Sequence, residues 1–133
     1  MDILLSIKPN WADLILEGKK TVELRKQWTK ANDVERIYLY ASAPLQMIVG
    51  WIELQQAVCE DVADLKRDSE EGCCVSSEDF DEYFKDKEKG WGLFISRAQK
   101  TSPIPLKAID ERPPQNWANL DASQSEILRK LAS

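Results

Sequence analysis

The first part of the chain changes its hydrophobic period twice. Residues 3–7 form a short apolar run of strand length, and Pro9 then suits the first turn of a helix, where its missing N–H costs nothing. Apolar residues recur at helical spacing over 11–15, and Gly18 follows as a residue that commonly ends helices. Over residues 21–25 the period becomes two, so the three polar side chains share one face. The pattern predicts the order strand, helix, strand.

The rest of the chain predicts more short strands and further helices. Gly50 lies inside one predicted strand, which indicates a bulge or a close approach of another chain segment. Neither an internal repeat nor a linker is visible, so residues 1–133 are expected to form a single α+β domain of about five or six strands with flanking helices. The predicted strands cover residues 34–42, 45–58 and 90–99, the predicted helices cover 61–67, 77–87 and 123–131, and residues 103–110 and 112–117 are expected to be extended.

Charge is distributed unevenly along the chain. The whole sequence has a net charge of −5, but residues 60–88 contain twelve acidic and four basic side chains. This acidic segment therefore has a net charge of −8, and the remainder is +3. Its apolar residues are few, which predicts a mobile or helical excursion from the domain and leaves a protein partner through 60–88 as one interpretation. A local basic surface remains compatible with the acidic total, because salt screens exposed charges beyond about 8–10 Å.

The reactive residue types exclude several classes of protein. The chain has three cysteines, an odd number that argues against a disulfide framework, and it has no histidine. Adjacent Cys73 and Cys74 lack the spacing of a zinc knuckle, so neither a metal nor another cofactor is predicted. No apolar run approaches the roughly 20 residues that span a bilayer, and a cytoplasmic location is expected. Any catalysis must proceed without histidine, the commonest general base.

Four charged or flexible positions spell G-x-K-x-x-E-x-R at the junction of the first helix and the second strand. Glu23 and Arg25 are two residues apart on a strand and so share a face, while Lys20 precedes them at the turn after Gly18. The guanidinium of Arg25 offers a planar fork suited to a phosphate or a base edge. We therefore expect Lys20, Glu23 and Arg25 to converge on one wall of a cleft. The alternative is that Glu23 and Arg25 form an exposed ion pair on the solvent face of a half-exposed strand, which would contribute little stability.

This motif, with "LSIKP" before it and "YASAP" after it, resembles the ASCH domain family, which is related to the PUA-like fold. The resemblance extends to "VGWIEL" and to residues 91–95, and it weakens over the acidic segment. It implies a small mixed β-barrel with the motif in a cleft beside the first helix. The implied role is binding of RNA or a nucleotide. The residues that would bind are Lys8, Lys20, Glu23, Arg25 and Tyr40, with Tyr38 a further candidate for stacking on a base.

Two other functions remain open at this point. Some small ASCH proteins resemble amidohydrolases that deacylate a modified cytidine with a lysine and a threonine. Lys20 matches that lysine, but Glu23 stands where the threonine would be needed. Thr21 is adjacent to Lys20 and cannot simply substitute, because adjacent residues of a strand face opposite sides. A ribonuclease is the second form of hydrolase, in which Lys20 would stabilise the phosphorane and Glu23 or Tyr40 would transfer protons. A protein-interaction module is the remaining alternative.

Overall fold

The computed structural model of the protein describes residues 1–132, which form one six-stranded sheet flanked by four α-helices. No helix among these residues is long and apolar enough to cross a membrane. The strands are β1 (Ile3–Ile7), β2 (Val22–Arg25), β3 (Ile37–Ala41), β4 (Met47–Asp61), β5 (Lys89–Ile104) and β6 (Trp117–Asn119). The helices are α1 (Pro9–Leu16), α2 (Val62–Ser69), α3 (Ser77–Tyr83) and α4 (Ala122–Leu131), and a single 3-10 turn covers Leu106–Ile109.

The sheet is mixed, and its hydrogen-bonded strands do not close into a barrel. Its spatial order is β2-β5-β4-β3-β1-β6, in which β1 and β3 are parallel and every other neighbouring pair is antiparallel. Within residues 1–132, β2 and β6 are edges without a strand partner on their outer sides. The mixed α+β class and the strand number therefore agree with the prediction. The closed barrel that the resemblance implied is not confirmed.

The two longest strands exceed their predicted lengths. β4 and β5 form an antiparallel pair whose register runs from Ile48 opposite Ile104 to Asp61 opposite Lys89. The two main chains approach closely at Gly50, where an added Cβ would lie 2.5 Å from the carbonyl oxygen of Gln99. The register also shifts beside Gly50, which confirms the expected irregularity. Of the segment 103–110, which was predicted to be extended, the first two residues end β5 and Leu106–Ile109 form the 3-10 turn. The second such segment, 112–117, contains no helix and leads into β6.

Gly18 sets the direction of the chain between α1 and β2. Pro9 occupies the first turn of α1 as predicted, and Gly18 has a φ of +81°. This left-handed conformation is open to glycine without steric cost, which confirms the predicted helix end. The backbone N–H groups of Lys19 and Lys20 both donate to the carbonyl of Leu14, at 2.9 and 3.0 Å. The turn thereby folds Lys20 back under the end of the helix.

The acidic segment contains the helices α2 and α3, and their inner faces pack on the sheet. Leu65 of α2, Cys73 of the connecting loop and Phe80 of α3 are buried together with Phe84 against apolar side chains of β2. The Phe80 and Phe84 rings lie 4.9 Å apart between centroids. The sequence expectation underestimated this packing because four well-placed apolar residues suffice to anchor two short helices whose outer faces hold the acids.

Trp28 is buried in the main core, although it follows a stretch of polar and basic residues. Its ring packs on Trp117 of β6 with centroids 5.3 Å apart and an interplanar angle of 50°. The segment between β2 and β3 is therefore tied to the far edge of the sheet by an aromatic contact.

Candidate functional site

A cleft with a volume of about 620 Å³ lies beside the start of α1. Its lining residues come from the ends of β1 and β3, from the motif around β2, from α3 and from the loop before β6. This volume lies within the range of sites that hold small molecules. The structure places all five predicted binding residues around this cleft: Lys8, Lys20, Glu23, Arg25 and Tyr40.

Lys20 lies at the floor of the cleft and is almost entirely buried, with 2% of its surface exposed. Its Nζ donates a hydrogen bond to the main-chain oxygen of Cys73 and lies 3.5 Å from Oε1 of Glu23. The same ammonium sits 4.7 Å from the centroid of the Trp11 ring. A buried ammonium is costly unless its donors are satisfied, and these three partners satisfy it. Lys20 is thus a fixed point charge that joins α1, β2 and the acidic segment.

Glu23 is the centre of a short chain of charges. Its carboxylate lies between two cations, with Oε1 facing Lys20 and Oε2 3.4 Å from Nη1 of Arg25. The side chain is 7% exposed, so solvent screens these interactions weakly. Glu23 is held in place because β2 pairs with β5, where Glu23 lies opposite Leu93. The predicted convergence of Lys20, Glu23 and Arg25 on one wall is therefore present in the structure.

Arg25 joins two parts of the sheet that are distant in strand order. Its Nη1 lies 3.5 Å from the carbonyl oxygen of Ser6 in β1, and its Nη2 lies 3.4 Å from Oδ1 of Asn116. These contacts are long, and 14% of the side chain is exposed. Arg25 is therefore less tightly held than Lys20, and its guanidinium borders the open space of the cleft.

The two tyrosines of β3 occupy different environments. Tyr40 lies opposite Ser6 in the parallel pair with β1, and both residues line the cleft. Tyr38 is fully buried, and its hydroxyl accepts a hydrogen bond from Arg36. The suggestion that Tyr38 stacks on a base is therefore wrong, because packing beneath the sheet leaves its ring inaccessible. Lys8 is exposed at the rim, directly before α1.

Sequence reasoning missed the contribution of α3 to the cleft. Asp79 and Tyr83 of this helix line the cavity, and 39% of Tyr83 is exposed. Burial raises the pKa of the Tyr83 hydroxyl, while the nearby Arg25 guanidinium lowers this pKa and the Glu23 carboxylate raises it. Phe80, Tyr83 and Phe84 recur at helical spacing, which is typical of one buried face, and nothing in the sequence indicates that Tyr83 lines the cleft.

The cleft has a mixed electrostatic character. Three cationic side chains line it, those of Lys8, Lys20 and Arg25, together with the carboxylates of Glu23 and Asp79. Two of the cations also contact Glu23, so the positive charge accessible at the mouth comes chiefly from the side chains of Lys8 and Arg25. The lining thus combines cations with acceptors, aromatic rings and the small polar groups of Ser6 and the loop before β6.

An open mixed sheet with a motif-lined cleft beside its first helix defines a class of small α+β domain. A model of the ASCH domain family matches residues 5–112, and the chain belongs to this family. The chain is 28% identical over 137 residues to the ASCH domain-containing ribonuclease of Zymomonas mobilis, covering 99% of this chain and 93% of that protein.

Crystal structures of the Z. mobilis ASCH protein match the fold closely. One superposes with a TM-score of 0.92 at 28% sequence identity and covers 99% of this chain and 96% of the other. A variant of the same protein gives a TM-score of 0.92 at 27% identity and covers 99% of both chains. The similarity therefore includes the acidic segment, where the sequence resemblance was weakest.

Proposed function

We propose that the protein binds single-stranded RNA through the cleft. The observation that supports this most is the convergence of the Lys20–Glu23–Arg25 charge chain on one wall of a cavity of about 620 Å³. A cavity of this size accommodates one or two nucleotides but excludes a duplex. Sequence-specific RNA recognition commonly uses such sites, since unpaired bases can enter a pocket that a helix cannot.

Arg25 and Lys8 are the proposed phosphate contacts. The guanidinium of Arg25 borders the cavity, and its present hydrogen bonds are long enough to be exchanged for shorter, charge-assisted bonds to a phosphate. Lys8 is exposed at the rim. Lys20 has a different role, because its ammonium already has three partners within the fold. Lys20 positions Glu23, and Glu23 in turn orients the Arg25 fork.

Cleavage of the bound RNA is a second candidate function, favoured by the name of the Z. mobilis relative. In such a reaction the 2′ oxygen forms a bond to phosphorus, the bond from phosphorus to the 5′ oxygen breaks, and the 2′ proton ends on the leaving oxygen. Glu23 and Tyr40 are the candidates for that proton transfer, and Arg25 would stabilise charge on the phosphorane. The products would be a 2′,3′-cyclic phosphate and a 5′-hydroxyl.

The amidohydrolase alternative is less well supported. Thr21 is exposed and lies outside the cleft lining, and Glu23 occupies the strand position that faces the cavity. A protein partner on the outer, acidic faces of α2 and α3 stays a prediction, as does a cytoplasmic location. Neither depends on the cleft, so a cleft variant would leave a protein contact at the acidic helices intact.

The test separates binding from cleavage. Wild-type protein is titrated with a fluorescently labelled eight-nucleotide RNA, with the matched DNA and a blunt RNA duplex as competitors, and products are resolved on the same samples. The proposal expects binding of the single strand in preference to the duplex. Cleavage of RNA but not of a 2′-deoxy oligomer, lost in Glu23→Gln while binding persists, would establish the ribonuclease. Equal affinity for duplex and single strand would contradict the cleft as the binding site.

A further inference from the structure

α3 presents an aromatic ring and an unpaired carboxylate to the cleft, next to the motif strand β2 on which its buried face packs. Asp79 and Tyr83 are four residues apart, so their side chains lie next to each other on one face of the helix. Both line the cavity that contains Arg25 and Glu23. The acidic segment thus contributes a wall of the site as well as a surface.

The Tyr83 ring is held in place and yet accessible. Its edge-on contact with buried Phe84 has a centroid distance of 4.7 Å and an interplanar angle of 75°. Lys26 places its ammonium 4.8 Å from the ring centroid. With 39% of the residue exposed, much of the ring surface remains open to a ligand. A supported aromatic ring beside cationic side chains is the arrangement on which unpaired bases stack, because every base has a π-face.

Asp79 differs from Glu23 in having free acceptor capacity. Among residues 1–132 the Asp79 carboxylate has neither a hydrogen-bond donor nor an ion-pair partner, although its backbone N–H donates to Ser76 at 3.1 Å. The carboxylate of Glu23, by contrast, contacts two cations. A carboxylate accepts from the exocyclic amino group of cytosine, whereas uracil presents a carbonyl oxygen at the same ring position and would be repelled.

We infer that Tyr83 and Asp79 form the base-recognition half of the site, with Tyr83 stacking on an unpaired base and Asp79 selecting bases that offer an amino group. This inference rests on the proposed RNA binding. It assigns phosphate contacts to the motif wall and base contacts to α3. Cytosine should therefore be preferred over uracil, since these pyrimidines differ in the group that faces Asp79.

The experiment measures binding of 2′-O-methyl oligo(C) and oligo(U), eight nucleotides long, which cannot be cleaved through 2′-hydroxyl attack. The variants are Tyr83→Ala, Tyr83→Phe and Asp79→Asn. Glu78→Gln is the matched charge control, because Glu78 is the adjacent helix residue and lies outside the cleft lining. Circular dichroism spectra confirm that each variant is folded.

Wild-type protein should bind oligo(C) at least about threefold more tightly than oligo(U). Tyr83→Ala should weaken binding of both by about tenfold, and Tyr83→Phe should stay near wild type, because the ring is what stacks. Asp79→Asn should bring the ratio of the two affinities toward one, whereas Glu78→Gln should not. If the wild type binds both oligomers but Tyr83→Ala and Asp79→Asn behave like Glu78→Gln, this inference is overturned and the proposed function stands. If neither oligomer binds at low salt, both are overturned.

Discussion

Nη1 of Arg25 in β2 lies 3.5 Å from the main-chain oxygen of Ser6 in β1, although β5, β4 and β3 separate the two strands in the sheet. The sheet therefore curves until its first and fifth strands approach, and a side chain rather than a backbone ladder connects them. The same guanidinium lines the cleft. One residue thus contributes both to the shape of the site and to its chemistry.

Replacing Lys20 should destabilise the fold far more than replacing its neighbour. Lys20→Met leaves the Cys73 carbonyl unpaired and takes one cation from buried Glu23, which should cost about 3 kcal/mol of unfolding free energy. Lys19→Met removes an exposed pair with Glu17 and should cost less than about 0.5 kcal/mol. Urea unfolding of the two variants measures the difference, and equal midpoints would show that the buried charge chain is not structural.

Gly18 should tolerate asparagine better than valine. Nothing lies within 4 Å of an added Cβ at this position, so the cost comes from the φ of +81° and not from a clash. Gly18→Val should lose about 1–3 kcal/mol, and Gly18→Asn should lose less, because asparagine adopts the left-handed region more readily. The melting temperatures of the two variants provide the comparison. A valine variant that melts like wild type would contradict the role assigned to this turn.

The acidic helices should behave as part of the folded core. Phe80→Ala removes a ring that is 2% exposed and should cost about 3–5 kcal/mol. Tyr83→Ala, on the accessible face of the same helix, should cost clearly less. Amide hydrogens of α3 should exchange slowly in the wild type, because their exchange requires unfolding of the whole domain. In Phe80→Ala these amides should exchange faster. Fast amide exchange throughout residues 77–84 of the wild type would contradict this prediction and would indicate that the segment is mobile.

Ionisation of the Tyr83 hydroxyl should lower the free energy of unfolding at high pH. Burial raises the pKa of its hydroxyl above the ordinary value near 10, so the folded state retains a proton that the unfolded chain loses. The resulting stabilisation is fully present below that ordinary value and disappears as pH rises through the higher folded pKa. The wild-type minus Tyr83→Phe difference in absorbance at 295 nm should therefore show its step above pH 10. A step at or below pH 10 would argue against burial of the hydroxyl.

The parts of the fold that could be read from the sequence are those with local causes. The change of period at Gly18 located Lys20, Glu23 and Arg25 on one wall, since helix ends and strand faces depend on neighbouring residues. The approach of β2 to β1 through Arg25 was not readable, because sheet curvature depends on pairings between distant strands.

Residues whose surroundings are distant in sequence were also misjudged. Tyr83 is three positions after Phe80 and one before Phe84, so it lies at the border of the buried face of α3, and in the structure it lines the cleft. Trp28 follows basic residues, and its burial depends on Trp117 from the far end of the chain. Tyr38 and Tyr40 lie two residues apart on β3 and are both buried, but Tyr40 lines the cleft and Tyr38 does not.

The salt dependence of RNA binding by Arg25→Ala, compared with Lys100→Ala, tests the central proposal most directly. Both variants lose one positive charge, but Lys100 lies on β5 outside the cleft lining. Each is titrated with an eight-nucleotide single strand between 50 and 200 mM salt, with circular dichroism as the control for folding. Arg25→Ala should weaken binding and reduce the slope of log K against log salt by about 0.7, the value for one lost phosphate contact on a single strand, while Lys100→Ala keeps the wild-type slope. Equal slopes and affinities for the two variants would contradict binding of RNA through this cleft.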